Sequence, residues 1–213
     1  AANQWCNNQS EHQATTLTDK PTFQIRRVTP QEKDRFIATV VHCFIDDHFF
    51  RAMYPSNDQY TSEMAKFIEL DARTAIKQGT AWIIGEFLGV GYWIKPGTQF
   101  DDHEFYELVK TGCHSDYQST ALKLFEVLEE FIPIEPHWYL SFFGILQEHR
   151  DKGLGSLLLK HTLEMIDACS QMAYLETFDV RNVPFYQRLG FEQFGMRVID
   201  ANLTVIIMNR PAR

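Results

Sequence analysis

Between Trp138 and Asp167 the sequence changes its period around one short segment, Gln147-Glu148-His149-Arg150-Asp151-Lys152-Gly153-Leu154-Gly155-Ser156. Ahead of it, Trp138 to Leu146 is aromatic and aliphatic and reads as a buried strand. Behind it, apolar residues at 154, 158, 159, 163 and 166 follow helical spacing. The order is strand, glycine-spaced turn, helix. Such a junction leaves backbone N–H groups without partners in the first helical turn, at the positive end of the helix dipole. Gly153 and Gly155 lack a Cβ, so a bulky anion can come close to the backbone. The segment is therefore an anion cradle, most simply for phosphate or pyrophosphate. Neither G-x-x-x-x-G-K-[ST] nor G-x-G-x-x-G occurs, which sets aside the two common nucleotide fingerprints.

At 213 residues, 45% apolar and 14% aromatic, the chain supports one substantial core. No apolar run is long enough to span a bilayer. The beginning, Ala1-Ala2-Asn3-Gln4-Trp5, lacks a basic region followed by an apolar one. Cys6, Cys43, Cys113 and Cys169 share no metal-ligand spacing and read as reduced thiols, so no metal is expected. These features make a cytoplasmic protein without membrane association the expectation. A formal charge of −8 argues against nucleic acid as a partner and is compatible with an amine-bearing one.

Residues 1–21 are polar and aperiodic and read as a flexible N-terminal arm; residues 22–213 show no composition break and read as one α/β domain. Phe23 to Val28 alternates as a first strand. Thr29-Pro30-Gln31-Glu32 has capping-box spacing and opens a helix through Phe36, Val40, Val41 and Phe44. Ile45 to Pro55 crosses between helices, and Ser62 to Gln78 reads as the second helix. Residues 80–87 and 90–94 read as an antiparallel pair. Helical pattern returns at Glu104 to Leu108 and Thr120 to Phe131. After the central strand, turn and helix come a strand at 173–177, a short helix at 184–189, and closing strands at 191–198 and 203–208.

The spacing Arg150-x-x-Gly153-x-Gly155 resembles the pyrophosphate-binding signature of the GNAT N-acetyltransferase superfamily. A second block follows in the expected order: Tyr174-Leu175-Glu176-Thr177, then Asn182-Val183-Pro184-Phe185-Tyr186 and Gly190-Phe191. Together with Glu135-Pro136-His137-Trp138-Tyr139-Leu140, these segments resemble the puromycin-acetyltransferase-like, small-molecule branch. The resemblance implies a single GNAT-like domain with a mixed central β-sheet flanked by helices. The simplest core passes almost directly from its third strand to its fourth; here roughly 40 residues form a helical insertion, either a specificity element or a flank over a sheet edge. The implied activity is transfer of an acetyl group from acetyl-CoA to a primary amine of a small molecule, by direct attack in a ternary complex, with CoA as product. A peptide or protein acceptor and a non-catalytic acyl-CoA-binding module are the alternatives. A homodimer is compatible with the sequence but not readable from it.

The resemblance also distributes roles. The amides of Arg150, Asp151, Lys152, Gly153, Leu154, Gly155 and Ser156 would hold the pyrophosphate. Phe143, Gly144, Ile145 and Leu146 would meet the pantetheine arm on a strand splayed from its neighbour, leaving unpaired backbone groups near Ile145. Asn182 and Phe185 belong to the same coenzyme side. Tyr186 would sit by the sulfur as general acid, since a phenol keeps its proton at neutral pH. Lysine-acetylating members often carry a glutamate where this chain has Tyr139, so the base is open between His137, Glu176 and solvent. Tyr139 and Ser141 share the strand parity of His137 and, with Asp46, Asp47 and Tyr54, are acceptor-pocket candidates.

Overall fold

A computed structural model describes residues 23–99 and 102–213; the arm expected at 1–21 lies outside them. Seven strands form one sheet among the described residues: β1 (Ile25–Arg27), β2 (Ala81–Ile84), β3 (Gly89–Ile94), β4 (His137–Ile145), β5 (Met172–Thr177), β6 (Glu192–Val198) and β7 (Thr204–Arg210). Their spatial order is β1-β2-β3-β4-β5-β7-β6. Every neighbouring pair is antiparallel except β4 and β5, which run parallel.

The helices are α1 (Lys33–Cys43), α2 (His48–Met53), α3 (Asn57–Gln78), α4 (Asp102–Gly112), α5 (Gln118–Phe131), α6 (Leu154–Asp167) and α7 (Val183–Gln187). Strands β2 and β3 are buried at every position, which is why they read as near-continuous apolar runs. On one face Phe36, Val40, Ile68, Ile83 and Tyr92 pack with α1 and α3. On the other, Trp93, Trp138, Leu140, Leu158 and Leu163 pack with α6. The mixed sheet flanked by helices, with a helical insertion between the third and fourth strands, is the architecture the sequence implies. Insertion helices α4 and α5 pack on α3: Phe67 meets Phe105 with ring centroids 5.3 Å apart and stacks on Phe125 at 6.3 Å.

Strand β4 is irregular at its middle. Tyr92 pairs with Phe142 and Trp93 with Leu140, so Ser141 drops out of the ladder as a β-bulge. The bulge turns both Ser141 and Phe142 toward the α3 side, breaking the simple alternation that Trp138 and Leu140 begin.

The stretch from Ile45 to Pro55 is not merely a crossing. It contains α2, and Asp47 caps it: Oδ1 accepts from the backbone N–H of Phe49 at 3.0 Å and Phe50 at 3.1 Å. An adjacent acid therefore has a local structural use that its position between two helices conceals. Replacing Asp47 with Ala should cost about 1 kcal/mol of stability, whereas Asp47→Asn should cost only a few tenths, because asparagine caps about as well. Urea unfolding midpoints of the two variants check this; equal losses would rule out the cap as the reason for the acid.

Candidate active site

The single parallel pair creates the opening. β4 pairs with β5 only through His137↔Met172, Trp138↔Ala173 and Tyr139↔Tyr174. β4 nevertheless runs on to Ile145, held by β3 on its other edge. From Leu140 onward its β5-facing edge is released from the ladder, as the expected splay requires. The carbonyl of Ile145 is an exception, since it accepts from Nε of Arg150 at 3.1 Å.

Beyond the splay lies the turn. Among the described residues no backbone hydrogen bond is donated by the amides of residues 151–156, whereas the amide of Leu157 already bonds the carbonyl of Gly153 at 3.1 Å. Gly153 stands at the N-cap of α6 with φ of 78° and supplies no side-chain cap. A Cβ there would meet nothing within 4 Å, so the mouth of the turn is open. The amide of Arg150, read as part of the cradle, bonds the carbonyl of Gln147 at 3.2 Å, whereas those of 151–156 stand free at the start of a 14-residue helix and suit an anion.

Several residues assigned to the coenzyme have other work. The guanidinium of Arg150 bonds the carbonyls of Ile145 and Cys43 (Nη2 to O, 2.9 Å), tying the end of α1 to the end of β4. Lys152 Nζ donates to the carbonyl of Glu148 at 2.8 Å. Gly144 is needed for packing: a Cβ there would lie 2.6 Å from Cβ of Cys43. Phe143 stacks on Phe185 with centroids 5.9 Å apart, on the α6 side. Asn182 occupies the N-cap position of α7 but makes no cap bond; its Nδ2 donates to Oγ1 of Thr177 at 3.2 Å.

Beside the splay on the α3 side is a cavity of ≈ 680 Å³. Helices α1 to α3 and their connections give it Phe44, Phe49, Phe50 and Phe67, and the insertion gives Phe105, Tyr106, Leu122 and Phe125. The insertion is thus a wall of the cavity. The polar groups converge where β4 and β5 part: Tyr139, Ser141, Tyr174, Glu176 and Tyr186 all line it, together with Asp71 of α3.

The acceptor-pocket assignments need correcting at two positions. Tyr54 is 1% exposed in the core and does not line the cavity, because α2 turns it inward. Asp46 is exposed to solvent and also stands outside it. Asp47 does line the cavity, although its Oδ1 serves the α2 cap. Tyr139 and Ser141 line it with their hydroxyls engaged: Tyr139 donates to Glu176 Oε1, and Ser141 to Asp71 Oδ2.

Of the candidate bases, His137 lines the same cavity as Glu176 and Tyr186 but stands further along the sheet than Glu176. It pairs with Met172, four residues before Glu176 on β5, which is about 13 Å of strand. Its Nδ1 lies 2.9 Å from the carbonyl of Glu135, and its ring packs edge-on against Tyr174. Glu176 sits by the splay. Burial lifts its pKa from 4.5 to about 8, the charge of Asp71 adding to the rise and the hydrogen bond from Tyr139 opposing it. Its Oε2 and the hydroxyl of Tyr174 are shielded from solvent and have no hydrogen-bond partner among the described residues. Burial, with the charge of Glu176 second, raises the phenol of Tyr186 above its ordinary range, so it holds its proton.

Asp71 belongs to neither of the sequence motifs that mark the site. The signal was there: it falls on the apolar stripe formed by Met64, Ile68 and Ala75 of α3, where a buried acid requires partners.

Residues 124–193 match the family model described as an acetyltransferase (GNAT) domain. An uncharacterised N-acetyltransferase of Schizosaccharomyces pombe is 24% identical over 182 residues, spanning 78% of this chain and 73% of that protein. The histone acetyltransferase HPA2-related protein of Corynebacterium glutamicum is 23% identical, with a TM-score of 0.67 over 90% of this chain and 97% of its own. A Drosophila melanogaster polyamine N-acetyltransferase is 13% identical, with a TM-score of 0.66 over 89% of this chain and 100% of its own. A mosquito arylalkylamine N-acetyltransferase is 15% identical at a TM-score of 0.62, over 89% of this chain and 100% of its own. Relatives this diverse do not single out the puromycin-acetyltransferase-like branch. The chain shares the fold of these acetyltransferases, and the residues matched by the family model hold β4, the amide cradle, β5 and α7 of the site.

Proposed function

We propose that the protein is a cytoplasmic acetyl-CoA-dependent N-acetyltransferase that acetylates the primary amine of a small molecule by direct attack in a ternary complex. The observation that carries the reading is Glu176: a buried carboxyl with one oxygen unpartnered, in the cavity that Tyr186 also lines.

The residues present fit the coenzyme. The free amides of 151–156 suit its pyrophosphate, and the released edge of β4 from Leu140 to Ile145 suits an arm bearing amide groups. When bound, acetyl-CoA supplies an activated acetyl thioester. The protein's own contribution is to hold and move protons. Glu176 is the carboxyl placed to take the proton of the acceptor nitrogen; its Oε2, shielded in the free protein, holds no competing donor among the described residues, and the bond from Tyr139 fixes Oε1. Tyr186 keeps a proton on its phenol oxygen for the leaving sulfur. The Cys43 thiol, pushed by burial to about 12, is too weak an acid to act as a nucleophile, which favours direct attack.

The acceptor cavity supports a small amine over a peptide. Its walls are largely aromatic and come from both the α1–α3 region and the insertion, which suits the body of a small amine. Two of the solved neighbours are named for polyamines and arylalkylamines, both of which are small amines.

An amine panel with acetyl-CoA, read by free thiol, tests the reading directly. Turnover of small primary amines is expected; CoA binding with no turnover of any amine or peptide would leave a binding module instead. For a good acceptor, kcat/KM should rise with pH through a midpoint near the value of about 8 set by Glu176. Glu176→Gln should lower the rate by roughly 100-fold or more and remove that limb. Tyr186→Phe should lower kcat at least about tenfold while leaving CoA affinity unchanged; an unchanged kcat would remove its acid role.

The same carboxyl shapes stability. Its folded pKa of about 8 lies above its ordinary 4.5, so between those values the folded state holds a proton that the unfolded state has lost. Its contribution is therefore fully present below the lower value and declines as pH rises toward the upper. Glu176→Gln cannot ionise, so its melting temperature relative to the parent should improve steadily from pH 5 to pH 8.5. A pH-independent difference would mean that Glu176 titrates at its ordinary value.

A further inference from the structure

The buried carboxyl on α3 has no part in the proton transfers given to Glu176 and Tyr186, yet it touches two strands at their point of irregularity. Asp71 is 6% exposed. Its Oδ2 accepts from the hydroxyl of Tyr92 on β3 at 2.6 Å and from Ser141 on β4. Tyr92 is the last residue of β3 in register before the shift, and Ser141 is the residue that the shift expels from the ladder. One carboxyl oxygen thus straddles the bulge and holds both sides of it. Two positions before Ser141, on the same face, Tyr139 donates to Glu176. The four side chains form a line across the sheet, Asp71 and Ser141 at one end, Tyr139 and Glu176 at the other.

Resting on the reading of Glu176 as base, we propose that Asp71 is a positioning residue for the transfer: it pins the β4 bulge and, through the bulge and across the cavity, keeps Glu176 poised to take the amine proton. The pin is geometric. Without an acceptor at this place the buried phenol of Tyr92 and the half-buried hydroxyl of Ser141 lose their partner, at a cost that would reshape the bulge. The poise is electrostatic: burial raises the pKa of Asp71 as well, the hydroxyls of Ser141 and Tyr92 oppose that rise, and the charge they favour on Asp71 acts on Glu176 from α3.

The remaining groups around Glu176 do not supply that effect. Tyr139 on β4, Tyr174 on β5, Tyr186 on α7 and Tyr92 on β3 are phenols held protonated by burial, hence uncharged. At the cavity's edge Asp179 is paired with Arg181 at 2.7 Å, and Asp47 caps α2. His137 lies down the strand, and Lys95, Glu126 and Glu129 line the side formed by the insertion and the end of β3.

Asp71→Asn is the decisive variant, since its amide oxygen can accept both hydroxyls and keep the fold while removing the charge. The protonation midpoint of Glu176, followed by carbon-13 NMR of the glutamate carboxyls and assigned with Glu176→Gln, should fall by at least about 0.5 pH unit. A midpoint that does not move overturns the proposal. This measurement needs neither coenzyme nor acceptor, so its failure is distinct from a failure to find acetyl transfer. If Asp71→Asn does not fold, Tyr92→Phe keeps the ring and removes one donor from Asp71; that makes Asp71 easier to protonate and should move the midpoint the same way. In turnover, Asp71→Asn should lower kcat/KM roughly tenfold in the parent and by less than about twofold in the Glu176→Gln background. An equal loss in both backgrounds would show that Asp71 acts without Glu176, and would sink the idea.

Discussion

The parting of β4 from β5 is the constraint on which the rest of the molecule depends. A parallel pair cannot be joined by a tight turn and needs a crossover, here the cradle turn and α6. The same crossover places the free amides of 151–156 at the end of β4. Because pairing stops at Tyr139↔Tyr174, an edge that would close in a regular sheet stays open beside these amides. The anion-binding turn and the released strand edge are therefore two results of one topological choice. Arg150 then fastens the arrangement, linking the end of β4 to the end of α1 through two backbone carbonyls.

On the acceptor side the governing problem is how to keep acids in an aromatic cavity. A carboxyl without partners would be costly there, and each of the two innermost acids is handled differently. Asp71 receives two hydroxyl donors, both on Oδ2. Glu176 receives one donor and keeps its second oxygen free. The two acids thus differ in how many donors hold them, though both stand in the same space.

The cradle was legible because its chemistry is local: glycine spacing, an apolar strand before it and a helical stripe after it occupy contiguous sequence. The sheet and the insertion were legible for the same reason. Residues whose roles depend on distant partners were less so. Gly144 lies in the strand thought to meet the coenzyme, but its small size answers to Cys43 a hundred residues away in the chain. Arg150 belongs to the turn's spacing, but its guanidinium reaches back to α1. Tyr54 sits among pocket candidates in the sequence but is buried by the turn of α2, and Asp71 takes its role only from the distant hydroxyls of Tyr92 and Ser141. A bulge cannot be seen in strand periodicity before its partner strand is known, so the grouping of Asp71, Tyr92 and Ser141 was hidden as well.

The insertion carries a consequence for how such a protein can change. It joins two consecutive antiparallel strands, so its length and sequence can vary while the ladder on either side keeps its registration. Yet it forms a wall of the cavity through Phe105 and Phe125. The molecule thus divides into a conservative half, where geometry is dictated by the sheet, and a permissive half, where one excursion of the chain sculpts the chamber. New molecular guests can be accommodated by altering the excursion alone.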